Sequence, residues 1–86
     1  MTLLQLRRQI DRLDRQLLRL LNQRARVGLA VGRLKKRRGL KLFDPVRERE
    51  ILARLTSINE GPLSRAAVRA VYRQILQQTR RTEASA

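Results

Sequence analysis

The chain has no cysteine and no histidine. Without cysteine there is no disulfide framework and no thiolate metal site. Without histidine the commonest general base and the commonest transition-metal ligand are gone, and with them most hydrolase and zinc chemistry. Aromatic residues are scarce: one tyrosine, one phenylalanine and no tryptophan, too few to stack on single-stranded nucleic acid. No strand pattern, internal repeat or flexible linker is visible. No apolar run approaches a membrane span and the N-terminus lacks an apolar signal core, so a soluble, cytoplasmic protein is expected.

At 86 residues the chain makes one domain at most. A chain this short buries roughly 60–65% of its unfolded surface, so a partner subunit would help. What it has in excess is positive charge: 21 lysines and arginines against 7 acidic residues, a net +14, with arginine far outnumbering lysine. That balance points to anionic partners without saying which. Most of these arginines suit a solvated surface whatever the function.

The spacing predicts three helices and an all-α fold. The first runs from about Thr2 to Arg38. Its apolar residues fall at Leu3, Leu6, Ile10, Leu13, Leu17 and Leu20, then at Val27, Val31 and Leu34. This three-and-four rhythm over more than four heptads is coiled-coil-like. Gly39 ends it, after a basic last turn suited to the helix dipole. In "DPVRERE", Asp44 is a good N-cap and Pro45 a good first helical residue, so a second helix starts there. Its apolar face is Val46, Ile51, Leu52, Leu55 and Ile58, and "NEGP" stops it, with Gly61 as the expected cap. The third helix starts near Leu63 or Ser64, shows Val68, Val71, Tyr72, Ile75 and Leu76 at helical spacing, and is expected to fray in the tail "TEASA". The first helix is roughly 50 Å long, and two shorter helices cannot cover it within one chain. A two-fold homodimer with the long helices side by side is therefore expected.

Several charges interrupt the apolar faces. The rhythm of the first helix calls for a leucine at position 24, and the sequence has Arg24. Lys35 lies eleven residues on and about 20° round the same face. Between and beside them are Gly28 and Gly32, each costing roughly 1 kcal/mol relative to alanine in a helix interior. Two glycines flanked by two inward cations look like space left for an anion. In the second helix Glu48 lies on the apolar face and Arg47 on its shoulder. In the third, Thr79 continues the apolar line and Glu83 follows it by four. Singly, these read as a snorkelling arginine, a solvated first turn and a frayed terminus. Together they suggest a cationic pocket for a small polyanion, gripped by bidentate arginine contacts. With no obvious nucleophile, any chemistry there would proceed by positioning and electrostatics.

The series "LRRQIDRLDRQLLRLLNQRARVGLAVGRLKK", then "FDPVRERE", then "NEGPL", resembles the all-helical chorismate mutases over about residues 3 to 83. It looks closest to mutase modules that precede prephenate dehydratase or are fused to the first enzyme of the shikimate pathway; stand-alone versions also exist. The resemblance implies an intertwined homodimeric bundle of three-helix chains with two equivalent sites. It implies rearrangement of chorismate to prephenate, a unimolecular step needing no cofactor. The expected organisation is a mutase domain over 1–83 and a disordered tail at 84–86.

By that resemblance Arg24 would clamp a substrate carboxylate, and Lys35 would donate to the ether oxygen and a carboxylate. Arg47 would help position the dianion, Glu48 would accept from its hydroxyl, and Asp44 would contribute mainly through its backbone. Thr79 would bind substrate where some members have serine. Glu83 stands where some have a glutamine donating to the ether oxygen. Arg7 would reach in from the other subunit: it is seventeen residues from Arg24, roughly 25 Å along one rigid helix, too far for both to touch one small ligand from the same chain. A carboxyl donates only when protonated, so activity is expected to decline as rising pH strips Glu83 of its proton in the complex.

Rival readings share the fold or the charge. Isochorismate–pyruvate lyases resemble these mutases, but the intact "DPVRERE" with Glu48 suits a hydroxyl at the chorismate position. A mutase of 4-amino-4-deoxychorismate would be expected to differ near Glu48. A slow, chorismate-sensing regulatory module is the remaining alternative, carried by the departures at Thr79 and Glu83. A basic nucleic-acid-binding dimer would fit the charge but explains neither Glu48 nor the glycines, and no helix-turn-helix spacing or zinc motif is present.

Overall fold

The computed structural model describes residues 1–85 and is all-helical: α1, Leu3–Arg37; α2, Pro45–Ile58; α3, Arg65–Ala84. Each helix begins on a side-chain cap. Thr2 Oγ1 accepts from the Gln5 N–H at 3.1 Å while Gln5 Oε1 accepts from the Thr2 N–H at 2.8 Å, a reciprocal capping box. Asp44 Oδ1 accepts from the Arg47 N–H at 3.0 Å, with Pro45 opening α2. Ser64 Oγ accepts from the Ala67 N–H at 3.0 Å. All three starts lie within a residue or two of where the sequence puts them.

The end of α1 sets the course of the loop after it. Gly39 sits at φ +67, a conformation that L side chains rarely adopt. Its N–H donates to the Lys36 carbonyl at 3.2 Å, and the Leu40 N–H donates to the Lys35 carbonyl at 2.8 Å. This pair of bonds is the Schellman closure. It turns the chain back so that the Leu42 carbonyl accepts from Lys35 Nζ at 3.0 Å. The second helix stops earlier than expected. Asn59, not Gly61, is its cap, because the Asn59 side chain accepts from the Gly61 N–H and donates to the Leu63 carbonyl, building the turn itself.

α3 packs on both α1 and α2, which do not pack on each other. The apolar residues that become buried are few: Ile51 from α2, with Val68 and Leu76 from α3. Leu52, Leu55, Tyr72 and Ile75 are half-buried, while Val46, Ile58 and Val71 of the expected apolar faces are exposed. Along α1 every residue before Arg24 is exposed, the seam leucines included. The molecule measures 54 × 25 × 15 Å with a radius of gyration of 15.8 Å. A compact chain of this length would have about 12 Å. The apolar seam is open in the single chain, and among the described residues no helix is long and apolar enough to cross a membrane.

Two expectations change. Gly28 and Gly32 are both buried, but by α3. A Cβ at 28 would lie 2.9 Å from Thr79 Cγ2, and one at 32 would lie 3.2 Å from Glu83 Cβ. The glycines chiefly make room for a neighbouring helix. The tail also orders further than the sequence suggested: α3 continues through Thr82 and Glu83 to Ala84, and Ser85 caps it. Glu83 is 8% exposed, held against the α1 glycines, so the expected fraying does not reach it. Of the tail expected at 84–86, Ala86 lies outside the described residues.

Candidate active site

Because α1 and α2 meet only through α3, a cleft remains between them, and a cavity of about 280 Å³ fills it. α1 contributes Arg24, Gly28 and Lys35 to its wall. The α1–α2 loop and the first turns of α2 contribute Leu42, Asp44, Arg47 and Glu48. α3 contributes Thr79, Arg80 and Glu83. Seven of the eight residues singled out from the sequence therefore face one cavity. The eighth, Arg7, does not line it; it lies far along the exposed part of α1.

The cations in the cavity divide by what they touch. Arg24 is half-buried and donates from Nη1 to Thr79 Oγ1 at 2.9 Å, and that hydroxyl in turn donates to the Ile75 carbonyl at 2.7 Å. Lys35, also half-buried, donates to the Leu42 carbonyl. Both have only neutral acceptors, and neither has an ion-pair partner among the described residues. Arg47 lies 4.0 Å from Glu50 on an exposed stretch, a contact of the kind that contributes about 0–1 kcal/mol.

The acids differ in the same way. Asp44 lines the cavity and uses its side chain on the helix cap. Glu48, in the first turn of α2 where the helix dipole favours an anion, pairs through Oε2 with Arg80 Nε at 3.2 Å. Glu83 is buried yet has no hydrogen-bond or ion-pair partner among the described residues. Its carboxyl is left for whatever occupies the cavity. No group of three or more carboxylates among the described residues could hold a metal ion.

Arg80 was not anticipated. Its guanidinium lies 4.6 Å over the Phe43 ring while its Nε pairs with Glu48. Helical spacing held a signal, since Arg80 follows buried Leu76 by four and precedes Glu83 by three. In the sequence it reads as one more member of a basic run.

Half-buried cations without counter-charges, a free carboxyl and a hydroxyl already engaged line one cavity, an arrangement whose chemistry suits a small anion. The comparisons with known proteins agree with that class. The chain belongs to the chorismate mutase type II family, whose model matches residues 6–84. It is 37% identical over 76 residues to a bifunctional chorismate mutase/prephenate dehydratase of Aquifex aeolicus (strain VF5), covering 84% of this chain and 21% of that protein. It is 37% identical over 70 residues to the protein of the same description from Neisseria gonorrhoeae (strain ATCC 700825 / FA 1090), covering 81% and 19%. The chain thus spans about a fifth of the length of the curated relatives it matches. Among solved structures it is similar to chorismate mutase (Form II) from Thermus thermophilus, with a TM-score of 0.90 at 40% identity, covering 91% of this chain and 89% of that one. For Form I of the same protein the TM-score is 0.85 at 40% identity, covering 86% and 92%.

Proposed function

We propose that this chain rearranges chorismate to prephenate, with residues 1–83 acting as one mutase domain in the cytoplasm. The observation that carries the reading is the pair Arg24 and Lys35: two half-buried positive charges in one cavity, each bonded only to a neutral oxygen. A dianion supplies the missing counter-charges. Arg24 clamps one carboxylate, Lys35 donates to the other and to the ether oxygen, and Arg47 adds charge at the open side. Glu48 accepts from the substrate hydroxyl through the oxygen Arg80 leaves unused. Thr79 holds the Arg24 guanidinium in place, and the Asp44 backbone helps close the wall. As the ether bond breaks, charge develops on its oxygen, and donors already aimed there lower the barrier. Holding the ligand in its compact reactive conformer supplies the rest. In this mechanism the unpartnered Glu83 carboxyl is the second group at the ether oxygen.

The working unit in this reading is an intertwined homodimer. The exposed seam of α1 is the surface a second copy covers, and the partner's Arg7 reaches the cavity that the chain's own Arg7 cannot. Support comes from the length of the uncovered leucine row and from a radius of gyration well above that of a compact chain.

Incubating the purified chain with chorismate near pH 6 and near pH 8, with isochorismate in parallel and Arg24→Ala as control, tests the activity. Prephenate formed by the native chain and lost with Arg24→Ala is the expected result. Pyruvate release from isochorismate would instead make it a lyase. Chorismate that raises the melting temperature without turning over would make it a sensing module.

A further inference from the structure

Every cation in the cavity but one is left to a ligand, a neutral oxygen or an exposed neighbour. The exception is Arg80, the only cavity-lining cation among the described residues that pairs with a cavity-lining carboxylate. Three pieces distant in sequence fix it. Its backbone is held by α3 one turn past buried Leu76, its guanidinium carbon lies 4.6 Å over the Phe43 ring from the α1–α2 loop, and its Nε meets Glu48 of α2. The pair is partly shielded from water, with side chains 33% and 21% exposed, against 54% and 62% for Arg47 and Glu50. A planar guanidinium stacked on a ring presents its edge in one direction, which a lysine ammonium cannot do.

We infer that Arg80 is the positioning residue for Glu48. It holds one carboxylate oxygen so that the other is presented to the substrate hydroxyl, and it balances the Glu48 charge that would otherwise draw Lys35 or Arg47 away from the dianion. The inference rests on the mutase reading, because it takes Glu48 as the acceptor of the substrate hydroxyl. A pocket that must hold two substrate carboxylates beside a carboxylate of its own has a conflict of charge. Pairing Glu48 with a cation on its far oxygen resolves it without using Arg24 or Lys35. Arg80 here acts through Glu48 and needs no contact with substrate.

The test is a double-mutant cycle on the full chain with chorismate, since residues that act through one another are not additive. Arg80→Met, which keeps an unbranched stem and removes the charged head, is expected to lower kcat/KM roughly tenfold. In a Glu48→Gln background the same change is expected to cost less than about twofold, because there is no charge left to hold. Arg80→Lys should fall between native and Arg80→Met, and it replaces Arg80→Met in the cycle if that variant does not fold. Equal losses in both backgrounds would mean that Arg80 touches the substrate directly, which overturns the inference. So would full activity of Arg80→Met. A native chain that turns over no chorismate removes the mutase reading itself, and this inference with it.

Discussion

Both halves of α1 keep the three-and-four apolar spacing, yet their surroundings differ. From Met1 to Gln23 every residue is exposed, with Ile10 at 56% and Leu13 at 58%, whereas Gly28 and Gly32 are buried and Arg24 and Lys35 half-buried. The first half presents large side chains to any apolar surface that can lie along it, a non-directional demand proportional to area. The second half presents glycines, and α3 comes close enough that a methyl group at 28 would collide with Thr79 and one at 32 would crowd Glu83. A row of leucines thus marks a surface awaiting cover. Two glycines flanked by cations mark a contact already made, beside a cavity lined with charge.

Substitutions in the two halves should separate these roles. The largest effect is expected from Ile10→Asp combined with Leu17→Asp. Each lost apolar burial is worth roughly 1.5–3 kcal/mol and is repeated in both subunits of a dimer. Sedimentation at micromolar concentration should show monomer, and turnover should vanish on dilution. A variant that remains dimeric would place the seam elsewhere. Next is Arg24→Ala in the second half, expected to lose about 10³-fold in kcat/KM, or about 4 kcal/mol, while sedimenting as the native chain does.

Gly28→Ala sharpens the contrast further. Helix propensity gains about 1 kcal/mol, but overpacking against Thr79 costs roughly 1–3 kcal/mol and disturbs the Thr79–Arg24 bond. A slightly lower melting temperature and a roughly tenfold loss of activity are expected, where Gln23→Ala on the exposed stretch should change neither. The smallest effect is reserved for Glu83→Gln. Glutamine keeps the length and can donate through its amide, so kcat/KM should stay within about tenfold of native, where Glu83→Ala should lose more. Equal activity of Glu83→Ala and the native chain would remove Glu83 from the chemistry.

The helix starts and the end of α1 could be read from the sequence because their causes are local. Thr2, Asp44, Ser64 and Gly39 each act on backbone groups within about four residues. The cluster of candidate residues could be read as well, since period fixes which side chains share a face. What could not be read is what each face meets. The glycines looked like room for a ligand because a helical wheel marks an empty face without naming the neighbour that fills it. Arg80 went unnoticed because Phe43, Glu48 and Arg80 are adjacent only once α3 has docked. Glu83 looked like part of a fraying tail, yet the same docking holds it in the helix.

The sequence alone determined three capped helices, an apolar seam too long for its own chain, and a set of charges turned toward the faces meant for packing. Periodicity and capping are short-range, so no partner is needed to specify them. Only the tertiary structure decided which cation pairs with which carboxylate: Arg24 and Lys35 are left with neutral oxygens while Arg80 takes Glu48. That choice depends on where α3 lies between α1 and α2, and such placement is fixed by contacts between residues many turns apart in the chain.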